Sequence, residues 1–282
     1  VQVLETVAAC KAALRPLQRQ GQTIGFVPTM GALHAGHVSL VDLSREHCSQ
    51  TVVSIFVNPT QFGPNEDFSK YPRTLADDLA KLEAAGCDFA FVPAVAALYH
   101  PNEDLAIHLP ALSQHWEGAM RPGHFNGVAL VVAKLLNIVR PDQAFFGQKD
   151  FQQTVVVRRL ARDLFLDTAI VVGPTMREAD GLAMSSRNRY LDADQRALAP
   201  RIYKTLKAVK AKAAAGMPTQ PLCQWAATEL THDGAFVLDY FDIVDSDSLE
   251  HIPTLQPSQK PVAIVTARLG TTRLLDNLPL FA

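Results

Sequence analysis

The chain has 282 residues, 48% of them hydrophobic and 19% charged, with 26 Lys and Arg against 28 Asp and Glu and a formal net charge of -2. That length suits one large domain, or one medium and one small, and the composition supports a sizeable core. A near-neutral balance with no long basic run argues against a sequence-independent nucleic-acid surface. No apolar run reaches the length of a membrane span.

The opening "VQVLETVAACKAALR" carries charges early and lacks the apolar core of a signal peptide. Thr6 is placed to cap a first helix with Val7, Cys10, Leu14 and Leu17 on one face, and Pro16 is expected to kink or end it. "TIGFV" reads as a buried strand, and His37–Cys48 as a helix with Val38, Val41 and Leu43 near its inner face. "TVVSIFV" is an apolar run of the parallel-strand type, ending at Asn58 and Pro59. "NPTQFGPNEDFSKYPR" is a long loop, a length associated with function or disorder. A helix over Thr74–Ala85, closed by Gly86, and a strand "DFAFVP" follow. Residues 105–124 suggest a short strand "LAIHL" and a turn "RPGHF". Then come an apolar helix Val128–Val139, a strand "AFFG", a helix Phe151–Leu164 and a strand "AIVVGP".

This alternation predicts a Rossmann-like α/β domain with a parallel sheet over residues 1–175. Residues 176–282 read as a smaller α+β domain, with one long helix Asp192–Ala215 and two strands, "FVLDYFDIV" and "PVAIVTARL". The four cysteines, Cys10, Cys48, Cys87 and Cys223, form no C-x-x-C pair. They are expected to be buried packing in a reducing, cytoplasmic setting.

Four stretches carry chemistry. In "FVPTMGALHAGHVSL" an apolar strand runs into Gly31, Ala32 and Gly36, with His34 and His37 three apart. Ligands of open α/β sheets bind off strand carboxyl ends, and small residues let the backbone approach them. A helix starting there offers N–H groups and a positive dipole end to phosphate. A metal pair or plain surface histidines are the competing readings. In "FFGQKDFQQ" a second strand ends in glycine, and Lys149 follows as a mobile positive charge. In "MSSRNRYL" the serines and Arg187 are good oxyanion ligands. In the long loop, Asn58 and Gln61 stand just past a buried strand, where amides suit a small molecule with hydroxyls and a carboxylate. For each, a solvated loop is the alternative.

Taken together, "VPTMGALHAGHVSLV", "VVSIFVNPTQFGPNEDFSKYPRTL", "RPGHFNGV", "FGQKDFQQ" and "LAMSSRNRYL" resemble the pantoate–β-alanine ligase family, in its order and across essentially the whole chain. The first motif is also similar to the H-x-G-H of a wider nucleotidyl-transfer superfamily. The resemblance implies a ligase of pantoate and β-alanine that uses ATP and Mg2+, forms an acyl adenylate, and releases AMP and pyrophosphate. It implies a cytoplasmic homodimer, with no nucleic acid or membrane as partner. It places Met30, Gly31, Ala32, Leu33, His34, Ala35, Gly36 and His37 along the ATP site, with His34 and His37 on phosphates. Gly147, Gln148, Lys149 and Asp150 would hold nucleotide, Lys149 on the phosphates. Met184, Ser185, Ser186 and Arg187 would form a closing loop, and the Met176 backbone would meet the adenine. Gln61 and Gln153 would clamp pantoate. The catalytic set expected is thus His37, His34, Lys149 and Arg187. Ala35 stands where the family commonly has an acidic residue. Mg2+ ligands are not placed; Asp77 and Asp78 are candidates, although a solvated helix face is the usual fate of such a pair.

Overall fold

In the computed structural model, all residues are described except Asn65, Asp67, Pro257 and Ala282. The chain divides into two compact units, Val1–Gly147 with Val156–Pro174, and Gln148–Val155 with Thr175–Ala282. The segment 148–155, inside the first stretch drawn from sequence, therefore groups with the second unit.

The first unit is built on a six-stranded parallel sheet. Its strands are β1 (Gln2–Leu4), β2 (Ile24–Thr29), β3 (Gln50–Ile55), β4 (Phe89–Phe91), β5 (Gln143–Gly147) and β6 (Ala169–Gly173). They lie in the order β1-β4-β3-β2-β5-β6. Strands β2 and β3 pair over their whole length, from Ile24 opposite Gln50 to Thr29 opposite Ile55. Both are covered on two faces, which is why they read as apolar runs. The order of connection reverses between β2 and β5, so the loop leaving β2 sits at a topological switch point.

Helices α1 (Val7–Arg19), α2 (Ala35–His47), α3 (Leu75–Ala84), α4 (Val95–Leu98), α5 (Pro110–Ser113), α6 (Trp116–Met120) and α7 (His124–Val139) connect the strands. Thr6 caps α1 by accepting from the Ala9 N–H, 3.0 Å away. Pro16 does not end α1, which runs on to Arg19 at the cost of the one ladder bond that residue 16 would make to the Ala12 carbonyl. Helix α7 starts at His124 rather than Val128, and Arg15 of α1 donates to the carbonyls of Ile138 (2.7 Å) and Val139 (3.0 Å). Those terminal carbonyls would otherwise lack partners. The expected strand "LAIHL" is absent: residues 105–109 carry no ladder, and Leu105 is exposed. Val27, Leu40, Val41, Val53, Leu82 and Phe145 pack into one core between α2, α3 and the sheet. Each large apolar side chain so buried contributes about 1.5–3 kcal/mol.

Helix α8 (Phe151–Asp163) follows β5. The second unit then has α9 (Ala193–Leu198), α10 (Arg201–Ala214) and α11 (Thr219–Thr231), with β7 (Phe236–Asp245), β8 (Pro261–Leu269) and β9 (Thr272–Pro279). The strands form an antiparallel sheet in the order β7-β8-β9. The long helix expected over 192–215 is two helices, because Pro200 lacks the N–H and crowds the carbonyl four residues back. Ile202, Leu206 and Val209 of α10 pack with Leu222, Phe236, Ile243 and Val265. Cys10, Cys48 and Cys87 are buried. Burial pushes the thiol of Cys10 up to about 11 and those of Cys87 and Cys223 up to about 12, so none of these three is a reactive thiolate.

Candidate active site

Strand β2 delivers the chain to its loop at Thr29, whose hydroxyl donates to the Ser54 carbonyl (2.7 Å) and accepts the Gly31 N–H (3.2 Å). Gly31 and Ala32 both have positive φ, +82° and +50°. A Cβ on Gly31 would stand 3.0 Å from Asp78 Oδ2 and 3.1 Å from Ile55, so there is little room for a side chain. Asp78 of α3 is fully buried. Its Oδ2 accepts the Ala32 N–H (2.9 Å) and its Oδ1 the Leu33 N–H (2.7 Å). The Thr74 hydroxyl donates to the same carboxylate at 3.2 Å. Asp78 is therefore not a solvated acid: both oxygens are engaged with the loop backbone. Asp77, its neighbour, is exposed.

His34 is the N-cap of α2, and its Nδ1 accepts the Gly36 N–H at 3.1 Å. The His37 Nδ1 accepts the His34 N–H at 3.3 Å, so the two side chains form a reciprocal capping box. Their rings lie 4.1 Å apart, tilted by 43°. A peptide N–H only donates, so Nδ1 of each ring carries a lone pair and the proton sits on Nε2. With Nδ1 so engaged, each ring presents an Nε2–H donor.

Gln61 lies past β3 in a short 3-10 turn, Pro59–Gln61. Its Oε1 accepts from Asn58 Nδ2 (3.1 Å), and its Nε2 points to the Met30 sulfur (3.1 Å). The amide is therefore oriented with its NH2 group on the Met30 side. Asn58 is only 1% exposed. It also donates to the Gly127 carbonyl (3.2 Å) and accepts from Tyr99 (2.7 Å). Its amide serves the scaffold. The Gln61 carbonyl takes the His124 Nδ1–H at 2.9 Å. Arg121 stands 3.1 Å from the other ring nitrogen and grips Glu66 with two bonds of 2.6 and 2.7 Å. Burial, then the Arg121 charge, push the His124 pKa down to about 4, so its ring is neutral. Burial pushes the Glu66 carboxyl up, but Arg121 outweighs it and the net shift is down.

In the second unit, Lys149, Ser185, Arg187, Tyr203, Arg273 and Asp276 line one cavity. Ser185 caps the turn Ser186–Tyr190 by accepting the Arg187 N–H (3.2 Å). A small hairpin precedes it, in which the Met176 carbonyl accepts the Met184 N–H (2.9 Å). The backbone of 148–149 is held by Asn277 of β9. Its Nδ2 donates to the carbonyls of Gln148 and Lys149, both at 2.9 Å, and its Oδ1 accepts from Gln148 Nε2 at 3.1 Å. Next to it, Asp276 accepts two bonds from Arg177, of 2.6 and 2.9 Å, and the Arg177 guanidinium lies 3.6 Å over the Tyr203 ring. Burial pushes the Asp276 carboxyl up, against the pull of Arg177. Gln153 sits on the first turn of α8, half-buried.

Met30, His34, His37 and Gln61 are thus gathered in the first unit, and Lys149, Ser185 and Arg187 in the second. Among the described residues, no group of three or more His, Cys, Asp or Glu side chains could hold a metal ion. Asn277, Arg121 and the inward role of Asp78 were not read from sequence. Signals for them exist: Asp78 shares a helical face with Leu82, and "LLDNLPL" puts a polar pair inside an apolar strand.

Parallel topology, a switch-point loop and a helix N-terminus bearing two imidazole donors define a Rossmann-like α/β enzyme of the H-x-G-H type. The Pantoate-beta-alanine ligase family model matches residues 2–279. The chain is 48% identical over 279 residues to pantothenate synthetase of Herpetosiphon aurantiacus, covering 99% of each. It is 48% identical to that of Pseudomonas aeruginosa, over 98% of this chain and 97% of the relative. The structure of pantothenate synthetase from Thermus thermophilus superposes with a TM-score of 0.94 at 42% identity, covering 100% of both chains. A Francisella tularensis pantoate-beta-alanine ligase, complexed with beta-gamma ATP and beta-alanine, gives 0.80 at 32% identity, covering 99% of this chain and 98% of that one. The chain belongs to the pantoate–β-alanine ligase family, and its activity is the joining of pantoate to β-alanine.

Proposed function

We propose that the joining consumes ATP in two half-reactions. The pantoate carboxylate attacks the α-phosphorus, forming pantoyl adenylate as pyrophosphate leaves. The β-alanine amine then attacks the adenylate carbonyl; the amide bond forms, AMP departs and the amine loses its proton. A free carboxylate is a poor acyl donor, and adenylation supplies the leaving group. The observation that carries this reading is the pair of Nε2–H donors on the α2 N-terminus, a preorganised set for developing phosphate charge. The beta-gamma ATP and beta-alanine with which the Francisella relative is complexed support the choice of substrates.

In this reading His34 and His37 donate to phosphate oxygens, as do Lys149 and Arg187 with their charges. The loop Met30–His37, the residues Gly147–Asp150, Ser185 and Ser186 with Met184, and the Met176 backbone hold the nucleotide. Gln61 and Gln153 orient pantoate. Mg2+ would come with the nucleotide, on phosphate oxygens and water, since the described side chains supply no cage for it. The enzyme would work in the cytoplasm as a homodimer.

The test is isotope exchange. With enzyme, Mg2+, ATP and pantoate but no β-alanine, labelled pyrophosphate enters ATP if the adenylate forms. Enzyme that is active in the full reaction yet shows no such exchange refutes the two-step reading. Sedimentation at working concentration checks the dimer.

A further inference from the structure

The loop between β2 and α2 contains two consecutive residues of positive φ, and the second is not glycine: Ala32 stands at +50°. Left-handed backbone is costly for any residue with a Cβ, and persists only where its surroundings hold it. What holds it here comes from α3. Each Asp78 oxygen takes one N–H, from Ala32 and from Leu33. Lys81, one turn further along α3, donates from Nζ to the Leu33 carbonyl at 2.7 Å.

That carbonyl belongs to the same peptide group as the His34 N–H, and this N–H is the one that His37 Nδ1 accepts. Lys81 and His37 therefore hold opposite ends of one peptide plane. Asp78 fixes the plane before it. A rotation of either plane would withdraw the His34 N–H from His37 and release the tautomer of that ring. An apolar residue would sit on this buried face of α3, beside Leu82, without needing partners. The carboxylate there makes sense through the N–H groups it organises.

We propose that Asp78 and Lys81 are positioning residues for His34 and His37, acting through the peptide planes of residues 32–34. This rests on the reading of the two histidines as phosphate donors. Asp78→Asn keeps the size of the side chain but turns one acceptor into a donor facing a peptide N–H. Lys81→Met keeps most of the stem and removes the donor; because Lys81 is exposed, that variant tests the proposal even if Asp78→Asn fails to fold.

Two measurements decide. Nitrogen NMR of the ligand-free histidine rings reports the tautomers without reference to any reaction. In both variants His37, and His34 with it, are expected to leave the single Nε2–H form for a mixture. Steady-state kinetics are expected to show kcat reduced about 100-fold in Asp78→Asn and about 10-fold in Lys81→Met, with KM for ATP and pantoate little changed. A residue that only stabilised the fold would lower the melting temperature and leave the rings and the kcat of folded enzyme alone. Ring spectra identical to wild type in folded variants overturn the proposal, whatever the kinetics. Shifted rings with an undiminished kcat support the clamp and refute instead the phosphate role of the histidines.

Discussion

Gly127 tests how rigidly the turn that carries Gln61 is built. It lies in the first turns of α7, against the 3-10 turn that carries Gln61. A Cβ at Gly127 would fall 2.3 Å from the Thr60 carbonyl oxygen, 2.5 Å from its carbon and 2.7 Å from the Gln61 nitrogen. All three are backbone atoms, so no side chain can swing away. Bringing the closest contact from 2.3 to 3.0 Å requires a shift of about 0.7 Å. The turn cannot take that shift alone. Asn58 ties it to the Gly127 carbonyl, and His124 ties the Gln61 carbonyl to α7. Overpacking of this kind costs about 1–3 kcal/mol. A misplacement approaching 1 Å in a substrate-orienting group costs up to about 100-fold. Gly127→Ala should therefore melt several degrees lower and raise the KM for pantoate about 10-fold or more, while the KM for ATP moves by less than about 2-fold. The assay is AMP release at varied pantoate with ATP and β-alanine saturating, beside a thermal melt. A variant with wild-type melting and wild-type pantoate KM would show that α7 and the turn part freely, and the rigid-scaffold argument would be wrong.

Asn277→Ala removes both bonds to the Gln148 and Lys149 carbonyls; kcat should fall about 10-fold or more with KM less affected, and Lys149→Ala, which removes the charge itself, about 100-fold or more. Gln153→Ala and Gln61→Ala should each raise the KM for pantoate well beyond that for ATP; equal effects on both substrates would contradict their assignment. His124 makes stability depend on pH. Its folded pKa, about 4, lies below the ordinary 6.5, so the unfolded chain binds the proton first. The contribution is complete above about pH 6.5 and is lost as pH falls towards 4, amounting to about 3 kcal/mol. Denaturant titrations across that window should show the loss in wild type and a flatter profile in His124→Gln, whose amide can still bridge Arg121 and the Gln61 carbonyl.

What could be read from sequence followed from local physics. The runs "IGFV" and "TVVSI" are buried on both faces, and a strand so placed has no polar side to mask it. The loop after β2 stands out because glycine, alanine and histidine at a strand end are unusual in an ordinary turn. The misreadings share a cause: the deciding partner is distant in the chain. "LAIHL" has strand composition but no neighbouring strand to pair with. Asp78 looks like half of a surface acid pair until Ala32 and Leu33 are brought to it, 45–46 residues away. The apolar pattern of β9 is broken by Asp276 and Asn277, which are buried because Arg177 and the 148–149 backbone are there to receive them. Pro200 is the exception, a purely local signal inside a run of good helix formers that dominated the reading.

His34 carries two functions on two nitrogens, and substitutions can separate them. Its Nδ1 caps α2; its Nε2–H is the proposed donor to phosphate. Asparagine is among the preferred N-caps, and its side-chain oxygen can take the Gly36 N–H as Nδ1 does. It offers nothing at the position of Nε2. His34→Asn should then melt within about a degree or two of wild type yet lose about 100-fold or more in kcat. His34→Ala loses both nitrogens. Its cap is worth about 1 kcal/mol, so it should melt a few degrees lower with a similar loss of turnover. Glutamine reverses the asparagine case: its amide NH2 reaches towards the Nε2 position, while the cap is lost. His34→Gln should melt like the alanine variant and recover part of the turnover. If turnover instead follows melting temperature, with asparagine active and glutamine inactive, the histidine matters to the reaction only as a cap, and the phosphate donor has to be sought elsewhere in the loop.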